Sequence, residues 1–412
     1  MHTTTKSIST KNFSNLFDSP VFFALLAFGV YSLFSLLRGP IWRVTEYAFF
    51  NYLADAFLHG QAALRLLPVN VHDLAVYNGQ YFLYWPPFPA LLLMPFVAVF
   101  GVQFSDVLFT LVLASANVGL VAYFLQKLDE KKIAPLSRYH RGLLTLFFAF
   151  GTVHLLIAPF GRVWFTSQVI AFMCSLLAYL AVICLQGRKA FFYSGLALAC
   201  AMLTRNHLIF LGIWPAYYLV TQYKNLGWKK LAIYGLYFMI PILFGLLFYF
   251  AYNHIRFGSI FEIGTSFQDL GPFFQADYEK YGIFNLRYIP INFYYNFIYY
   301  PIPFTNNSLL GGSLFLLSPV FFAALTALYT ARPRLSTFFL GLTILVVLTP
   351  ILVNIGTGWI TFGPRYTFDF APPLLLLTAL GCRNWSPRWL ILLTVISVVH
   401  YVIGVVAFSA FY

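Results

Sequence analysis

The chain has 412 residues, of which 60% are hydrophobic and only 9% are charged. Soluble domains carry about 25% charged residues, so this composition excludes a soluble globular protein and indicates that lipid surrounds most of the chain. The formal net charge of +13 would suit a nucleic-acid binder, but the Lys and Arg residues sit in short tracts between apolar runs. That pattern orients membrane proteins, so we predict contact with membrane lipid and no binding of nucleic acid.

Eleven apolar runs are long enough, or nearly long enough, to cross about 30 Å of hydrocarbon. They lie near residues 20–37, 104–126, 142–160, 167–186, 191–204, 208–222, 231–253, 308–329, 335–355, 367–381 and 389–409. The first run follows a polar segment and lacks a small-residue cleavage signal, so it is expected to remain as a span. The sequence therefore predicts an all-α polytopic membrane protein with about eleven transmembrane helices, in a single domain over residues 1–412.

The run at 86–101 is short and opens with Pro86, Pro87 and Pro89, which disfavour regular helix at its start. If this run does not cross the membrane, the connections between spans alternate between the outer and the cytoplasmic face. Those on the cytoplasmic face, with the tail that carries Lys6 and Lys11, then hold 16 of the 25 basic residues. Nine of the twelve acidic residues, Asp269 among them, then lie on the other side. We therefore predict a re-entrant or interfacial hairpin at 86–101, a cytoplasmic N-terminus and a C-terminus outside the plasma membrane.

Two connections on the predicted outer face are long, 38–85 and 254–307, which suggests that function resides there. The first contains the amphipathic stretch EYAFFNYLADAFLHGQAAL, which is too polar to span and is predicted to form an interfacial helix. The second is rich in Tyr and Phe over residues 273–304. These rings suit a belt at the membrane surface, or alternatively a surface that stacks against sugar rings.

Three charged residues at the membrane boundary stand out as candidates for chemistry. Glu46 follows the first apolar run, where a carboxylate can act as a general base, although it can equally be a solvated loop acid. Arg205, in LTRN, and Arg365, in FGPRY, are isolated cations that suit a lipid phosphate, or that extend to ordinary headgroups. Arg162, Arg256, Lys280 and Arg287 are weaker candidates on the same face.

Several familiar kinds of site have no support in the sequence. It contains no phosphate loop of the Walker type, no GxSxG, no HExxH and no dinucleotide fingerprint. The four cysteines show no CxxC spacing, and the histidines are scattered along the chain. We therefore predict neither a metal site nor a cofactor.

A series of motifs occurs in order along most of the chain. Glu46 is followed fourteen residues later by Gly60, which closes LADAFLHG, and then come NGQYFLYWPPFPALLLMPF at 78–96, GLALACAMLTRN at 195–206, YNHIRFGSIFEIG at 252–264 and FGPRYTFDFAPPLLLL at 362–377. In this order the motifs resemble those of the polyprenyl-phosphate-sugar-dependent glycosyltransferases of the C superfamily. Relatives of protein O-mannosyltransferase and of aminoarabinose transferase belong to that family.

The resemblance implies inverting transfer of one monosaccharide, a hexose or pentose, from a polyprenyl-phosphate donor to a glycan, lipid or protein acceptor on the outer face. It assigns the general base to Glu46 and the leaving phosphate to Arg205 and Arg365, and it suggests that Asp73 and Asp55 order the acceptor or the loop. The family acid is more often Asp, frequently paired, whereas Glu46 is followed by Tyr47. A divalent metal is therefore unsupported, and an inactive relative stays open.

Two other kinds of protein remain as alternatives. A transporter or lipid flippase would also need many spans, but it predicts ionisable residues in mid-span or paired inverted repeats, and the sequence has few of the former and no visible repeat. The second alternative is an assembly subunit of the membrane that performs no catalysis.

Overall fold

The computed structural model describes residues 18–268, 270–358 and 360–411. Lys6, Lys11 and Asp269, which the charge argument uses, lie outside these residues. The described part contains one short antiparallel hairpin, in which β1 (Ala75–Tyr77) pairs with β2 (Gln80–Phe82). Its helices are α1 (Pro20–Leu36), α2 (Phe49–Leu58), α3 (Phe88–Phe100), α4 (Asp106–Glu130), α5 (Arg138–Phe150), α6 (His154–Ile157), α7 (Val163–Cys184), α8 (Gly187–Met202), α9 (Ile213–Tyr223), α10 (Trp228–Phe257), α11 (Pro272–Tyr281), α12 (Ile289–Phe293), α13 (Leu314–Leu317), α14 (Phe322–Thr330), α15 (Arg334–Leu352), α16 (Ala371–Cys382) and α17 (Pro387–Phe411).

Five of these helices, α4, α7, α10, α15 and α17, are long and apolar enough to cross a membrane. Together with the shorter apolar helices, they confirm the predicted all-α polytopic membrane fold. The apolar run at 308–329 is not one helix but α13 and α14, separated by the turn Pro319–Phe321. Proline lacks the backbone donor that a continuous helix needs, so the chain bends there. The total of eleven spans stays a prediction.

The helices pack closely where glycine faces a neighbouring backbone. A β-carbon built on Gly195 of α8 would lie 2.0 Å from the carbonyl oxygen of Phe238 in α10. One built on Gly381 of α16 would lie 1.8 Å from the carbonyl oxygen of Ala323 in α14. Only glycine permits such an approach, which is how membrane helices gain packing energy in the absence of a hydrophobic drive between them.

The segment at 86–101, predicted as a re-entrant or interfacial hairpin, forms the single helix α3 and a 3₁₀ turn at Gly101–Gln103, without a second arm. The prolines that argued against helix stand at its start, where a missing backbone donor costs nothing. Its 13 residues extend over about 20 Å, less than the hydrocarbon thickness. α3 packs against α2, the amphipathic stretch of the first outer loop, which forms a helix as predicted but is largely buried.

Both ends of α3 lie at the same end of the helical bundle. Trp85, just before the helix, lines the large cavity described below. Ser105, just after it, donates hydrogen bonds to the carbonyl oxygens of Ile41 (3.0 Å) and Arg43 (2.7 Å), and Arg43 lines the same cavity. α3 therefore does not pass from one end of the bundle to the other, in agreement with the charge argument.

Candidate active site

A cavity of about 770 Å³ opens at one end of the bundle. Every connection that the charge pattern assigns to the outer face contributes to its wall, with lining residues at 38–47, 72–86, 160–165, 204–207, 263–284 and 350–366. The sequence therefore groups these connections correctly at one end. That this end faces away from the cytoplasm stays a prediction.

The four residues Glu46, Arg205, Arg365 and Asp73 all line this cavity, as the predicted site requires. Asp55 does not. Its carboxylate lies in α2 and accepts two hydrogen bonds from the Arg65 guanidinium, at 2.9 and 3.0 Å, so it joins α2 to the chain that follows it. Of the two roles suggested for Asp55, this contact fits loop ordering and not contact with an acceptor.

The backbone on both sides of Glu46 is held in place. Thr45 donates to the buried Asp106 carboxylate from its backbone nitrogen (2.9 Å) and from its hydroxyl (2.6 Å). Tyr47 accepts from the backbone nitrogen of Val163 at 2.9 Å. The Glu46 side chain is exposed to the cavity and forms no ion pair or hydrogen bond within the described ranges. A carboxylate on a fixed backbone with free lone pairs is suited to accept a proton.

The Arg205 guanidinium is oriented by the carboxylate of Asp369. Its Nε and Nη2 atoms lie 3.0 and 2.9 Å from Asp369 Oδ2, and its charge also lies over the Tyr366 ring. The Asp369 side chain is only 1% exposed, because α7 and the 3₁₀ segment Arg365–Phe370 enclose it. A buried carboxylate of this kind fixes one face of the guanidinium and leaves the other to the cavity.

Arg365 is buried and forms no ion pair within the described part of the chain. Its guanidinium lies over the rings of Phe165 and Tyr366, with 5.8 and 4.9 Å to the ring centroids, and its Nε atom has no hydrogen-bond partner there. Burial lowers the pKa of Arg365, because the charged form loses its water. An arginine titrates so far above neutral pH that it keeps its charge, so this is a desolvated cation in need of an anion.

Asp73 connects the two long outer loops. Its carboxylate accepts from the Trp164 indole nitrogen at 3.0 Å and from the Gln268 amide at 2.9 Å. Its backbone has a φ of +69°, a strained value for a residue with a side chain. Burial raises the pKa of Asp73, because desolvation outweighs the nearby His72 and the two donors. These contacts fit the ordering of the loop.

Further cavity residues escaped sequence reasoning or were underrated by it. Arg38 and Arg43, which precede Glu46 by eight and three residues, line the cavity together with Arg162 and have no carboxylate within ion-pair distance in the residues described. Arg162 lies over the ring of Tyr47. The closeness of Arg38 and Arg43 to Glu46 in the sequence is the signal that would have found those two. No group of three or more His, Cys, Asp or Glu suited to a metal ion occurs in the described ranges.

No protein-family model and no curated protein matches the sequence. Two solved structures of ArnT from Cupriavidus metallidurans are similar in fold. The one bound to undecaprenyl phosphate has a TM-score of 0.50 and 16% identity, and the apo form has 0.52 and 16%. The matches cover 92% and 90% of this chain, which spans about three-fifths of those proteins, 62% and 60%. The chain therefore shares the fold of ArnT over most of its length.

Proposed function

We propose that this protein transfers a monosaccharide from a polyprenyl-phosphate donor to a hydroxyl-bearing acceptor at the outer face of the plasma membrane. The observation that carries the proposal is the composition of the cavity. Glu46, a free carboxylate on a fixed backbone, shares one space with the guanidinium groups of Arg38, Arg43, Arg162, Arg205 and Arg365. A sugar phosphate needs a base on one side of the anomeric carbon and cations on the other.

The donor class is supported from two directions. ArnT, whose fold this chain shares, has been solved with undecaprenyl phosphate bound. A lipid phosphate is held at headgroup depth, so the cations that bind it belong at the ends of membrane helices. Arg205 follows α8, and Arg365 precedes α16. No nucleotide is needed, because the sugar–phosphate bond already carries the energy for transfer.

The proposed reaction is a single inverting displacement. Glu46 accepts the proton of the acceptor hydroxyl, whose oxygen forms a bond to the anomeric carbon as the bond from that carbon to the phosphate oxygen breaks. The bonding electrons leave with the polyprenyl phosphate, which gains one negative charge. Arg205 and Arg365 stabilise that charge, most strongly where water is excluded. The sugar is a hexose or pentose, and the acceptor is a glycan, a lipid or a protein.

The deciding experiment incubates the purified protein with a panel of radiolabelled polyprenyl-phosphate sugars and membrane extract, and measures label in the acceptor. We expect Glu46→Gln to lower transfer by about 10²–10⁴-fold, because the amide cannot accept the proton. Glu279→Gln, at an exposed residue of α11, is the matched control and should transfer at the wild-type rate. Wild-type transfer by Glu46→Gln would remove the base, and no transfer by the wild type with any donor would end the proposal.

A further inference from the structure

Asp369 binds a second side chain besides Arg205. The Nε2 atom of His207 lies 2.9 Å from Asp369 Oδ2, the same oxygen that Arg205 contacts. Two nitrogen atoms that are each about 2.9 Å from one oxygen lie no more than about 6 Å apart, so the imidazole and the guanidinium are neighbours. A carboxylate that accepts from one imidazole nitrogen fixes the orientation of the ring.

The other ring nitrogen of His207 is available to a ligand. Nδ1 has no hydrogen-bond partner among the described residues, and it is not buried, so a ligand can reach it. The side chain is 20% exposed, and the residue lines the cavity. The arrangement has one nitrogen on a buried carboxylate and the other open to the cavity, which is the geometry of a histidine that exchanges protons with a substrate.

We propose that His207 is the general acid of the transfer reaction and gives its Nδ1 proton to the departing phosphate, with Asp369 as its positioning residue. This inference rests on the proposed sugar transfer and adds a catalytic group to it. Arg205 and His207 both contact the same carboxylate oxygen of Asp369, so a phosphate bound by the guanidinium would lie beside the imidazolium. His72 also lines the cavity and contacts a carboxylate, but its Nε2 atom lies 3.7 Å from Asp73, whose side chain is 14% exposed, whereas Asp369 is 1% exposed and lies at hydrogen-bond distance from His207.

In the proposed reaction Glu46 accepts one proton and His207 donates one, so the protons balance. The acceptor hydroxyl gives its proton to Glu46, and the polyprenyl phosphate leaves as a monoester whose second ionisation lies near neutral pH. His207 supplies a proton to a non-bridging oxygen of that phosphate, so the product leaves as a monoanion. After product release, Glu46 loses its proton to water, and His207 regains one. The cycle uses no other reactant.

Several charged groups surround His207. Asp369, on the segment before α16, places a negative charge beside the imidazole, and Arg205 and Arg365, which line the same cavity, bring positive charges. Other titratable groups near this region are His72, Asp73 and Tyr84 from the first outer loop, Tyr249 of α10 with Arg256 beside it, and Tyr366. The phosphate of a bound donor would bring a further negative charge to this group.

The test compares His207→Gln with the wild type in the transfer assay between pH 5.5 and 9. Glutamine places an amide donor near the position of Nε2, so the contact with Asp369 survives while the proton at Nδ1 is lost. We expect a rate reduction of about 10²-fold or more at pH 6.5. The wild-type rate should fall as the pH rises through the range in which an imidazolium loses its proton, and His207→Gln should lack that fall. His254→Gln, at an exposed histidine of α10, is the control.

A positioning role for Asp369 is tested by Asp369→Asn. Without the carboxylate the imidazolium loses a counter-charge, so the alkaline fall in rate should move to lower pH, which a merely structural role would not produce. Thermal unfolding of each variant in detergent identifies any that fails to fold. If Asp369→Asn fails to fold, the affinity of the wild type and of folded His207→Gln for undecaprenyl phosphate is measured across the same pH range instead.

The outcomes separate this inference from the proposed function. If the wild type transfers sugar and His207→Gln keeps both its rate and its alkaline fall, His207 is not the acid, while the sugar transfer stands. If undecaprenyl phosphate binds to both proteins with the same dependence on pH, the result is equally against the inference. If the wild type transfers no sugar, the proposed function and this inference fall together.

Discussion

Two charged clusters, at opposite ends of the helical bundle, differ in how their charges are paired. At the end opposite the cavity, Asp18 contacts Arg138 at 2.9 Å and Arg141 at 2.7 Å, and Arg141 also contacts Asp129. Two guanidinium groups and two carboxylates balance each other there. In the cavity, by contrast, Arg205 is the one arginine of the described lining with a carboxylate within ion-pair distance.

The difference has a physical meaning. A charge whose only role is in folding destabilises the native state least when it is paired. An unpaired cation away from water loses its hydration energy and has no anion to compensate for that loss. A cluster of unpaired guanidinium groups in a cavity is stable only at a cost to the free energy of folding. Such a cost is typical of a binding site, where the missing negative charge arrives with the ligand.

Among the cavity cations, the largest effect is expected at Arg365, the most buried of those without a carboxylate partner. Arg365→Gln removes a charge aimed at the leaving phosphate, so transfer should fall by about 10²–10³-fold. The same change relieves an unpaired buried charge, so the ligand-free variant should unfold at the same temperature as the wild type or a higher one. Transfer rates and thermal unfolding of one preparation measure both. A variant that melts earlier and transfers normally would refute the contrast between the two ends.

A smaller loss of activity is expected at Asp106, which fixes the backbone of Thr45 and also accepts from the backbone nitrogen of Arg162 at 3.0 Å. Asp106→Asn leaves a single side-chain oxygen to accept from three donors, and its amide nitrogen, itself a donor, then faces at least one of them. We expect this to lower the free energy of unfolding by about 1–3 kcal/mol. Glu46 then loses its fixed position, so kcat should fall about tenfold or more while KM changes little. Asp277→Asn, at an exposed loop acid, serves as the control. An unchanged kcat would mean that Glu46 needs no such support.

How far the sequence predicts this molecule depends on how far apart the interacting residues are. The membrane imposes apolar runs and a charge bias on consecutive residues, so the helical fold and the grouping of the outer connections can be predicted from the sequence. Glu46, Arg205 and Arg365 are predicted as site residues because each is a charged residue near the end of an apolar run. All three line the cavity.

The contacts that give these residues their geometry join distant parts of the chain. Asp369 lies 164 residues after Arg205 and 162 after His207, and no periodicity links them. Asp55 shows that closeness in sequence does not reveal a partner either, since Arg65 comes only ten residues later but the pairing depends on how the chain turns after α2. Side-chain partners of this kind depend on tertiary packing, which single-sequence patterns do not encode.

At Asp73 the expected effect is on stability and its dependence on pH. Because its pKa is raised in the folded state, the native protein holds this proton more tightly than the unfolded chain does. That contribution to stability is present below the ordinary Asp value of 3.8 and is lost as the pH rises through the raised value. Asp73→Asn is neutral throughout and should lack this loss, although it gives up one of two accepted hydrogen bonds, worth about 1 kcal/mol. Melting temperatures between pH 4 and 7 give the comparison, and parallel curves would exclude Asp73 as the titrating group.

The smallest effect is expected at the paired cluster of Asp18, Asp129, Arg138 and Arg141. Arg141→Ala leaves Asp18 with Arg138 alone and removes the partner of Asp129, and because these carboxylates are partly exposed, water screens the loss to about 1 kcal/mol. The melting temperature should fall by a few degrees, and added salt should narrow the gap to the wild type. Transfer below the melting temperature should be unchanged, because none of these residues lines the cavity. A large loss of transfer with normal melting would place a functional cation at this end as well, and the pairing of charges would no longer distinguish fold from site.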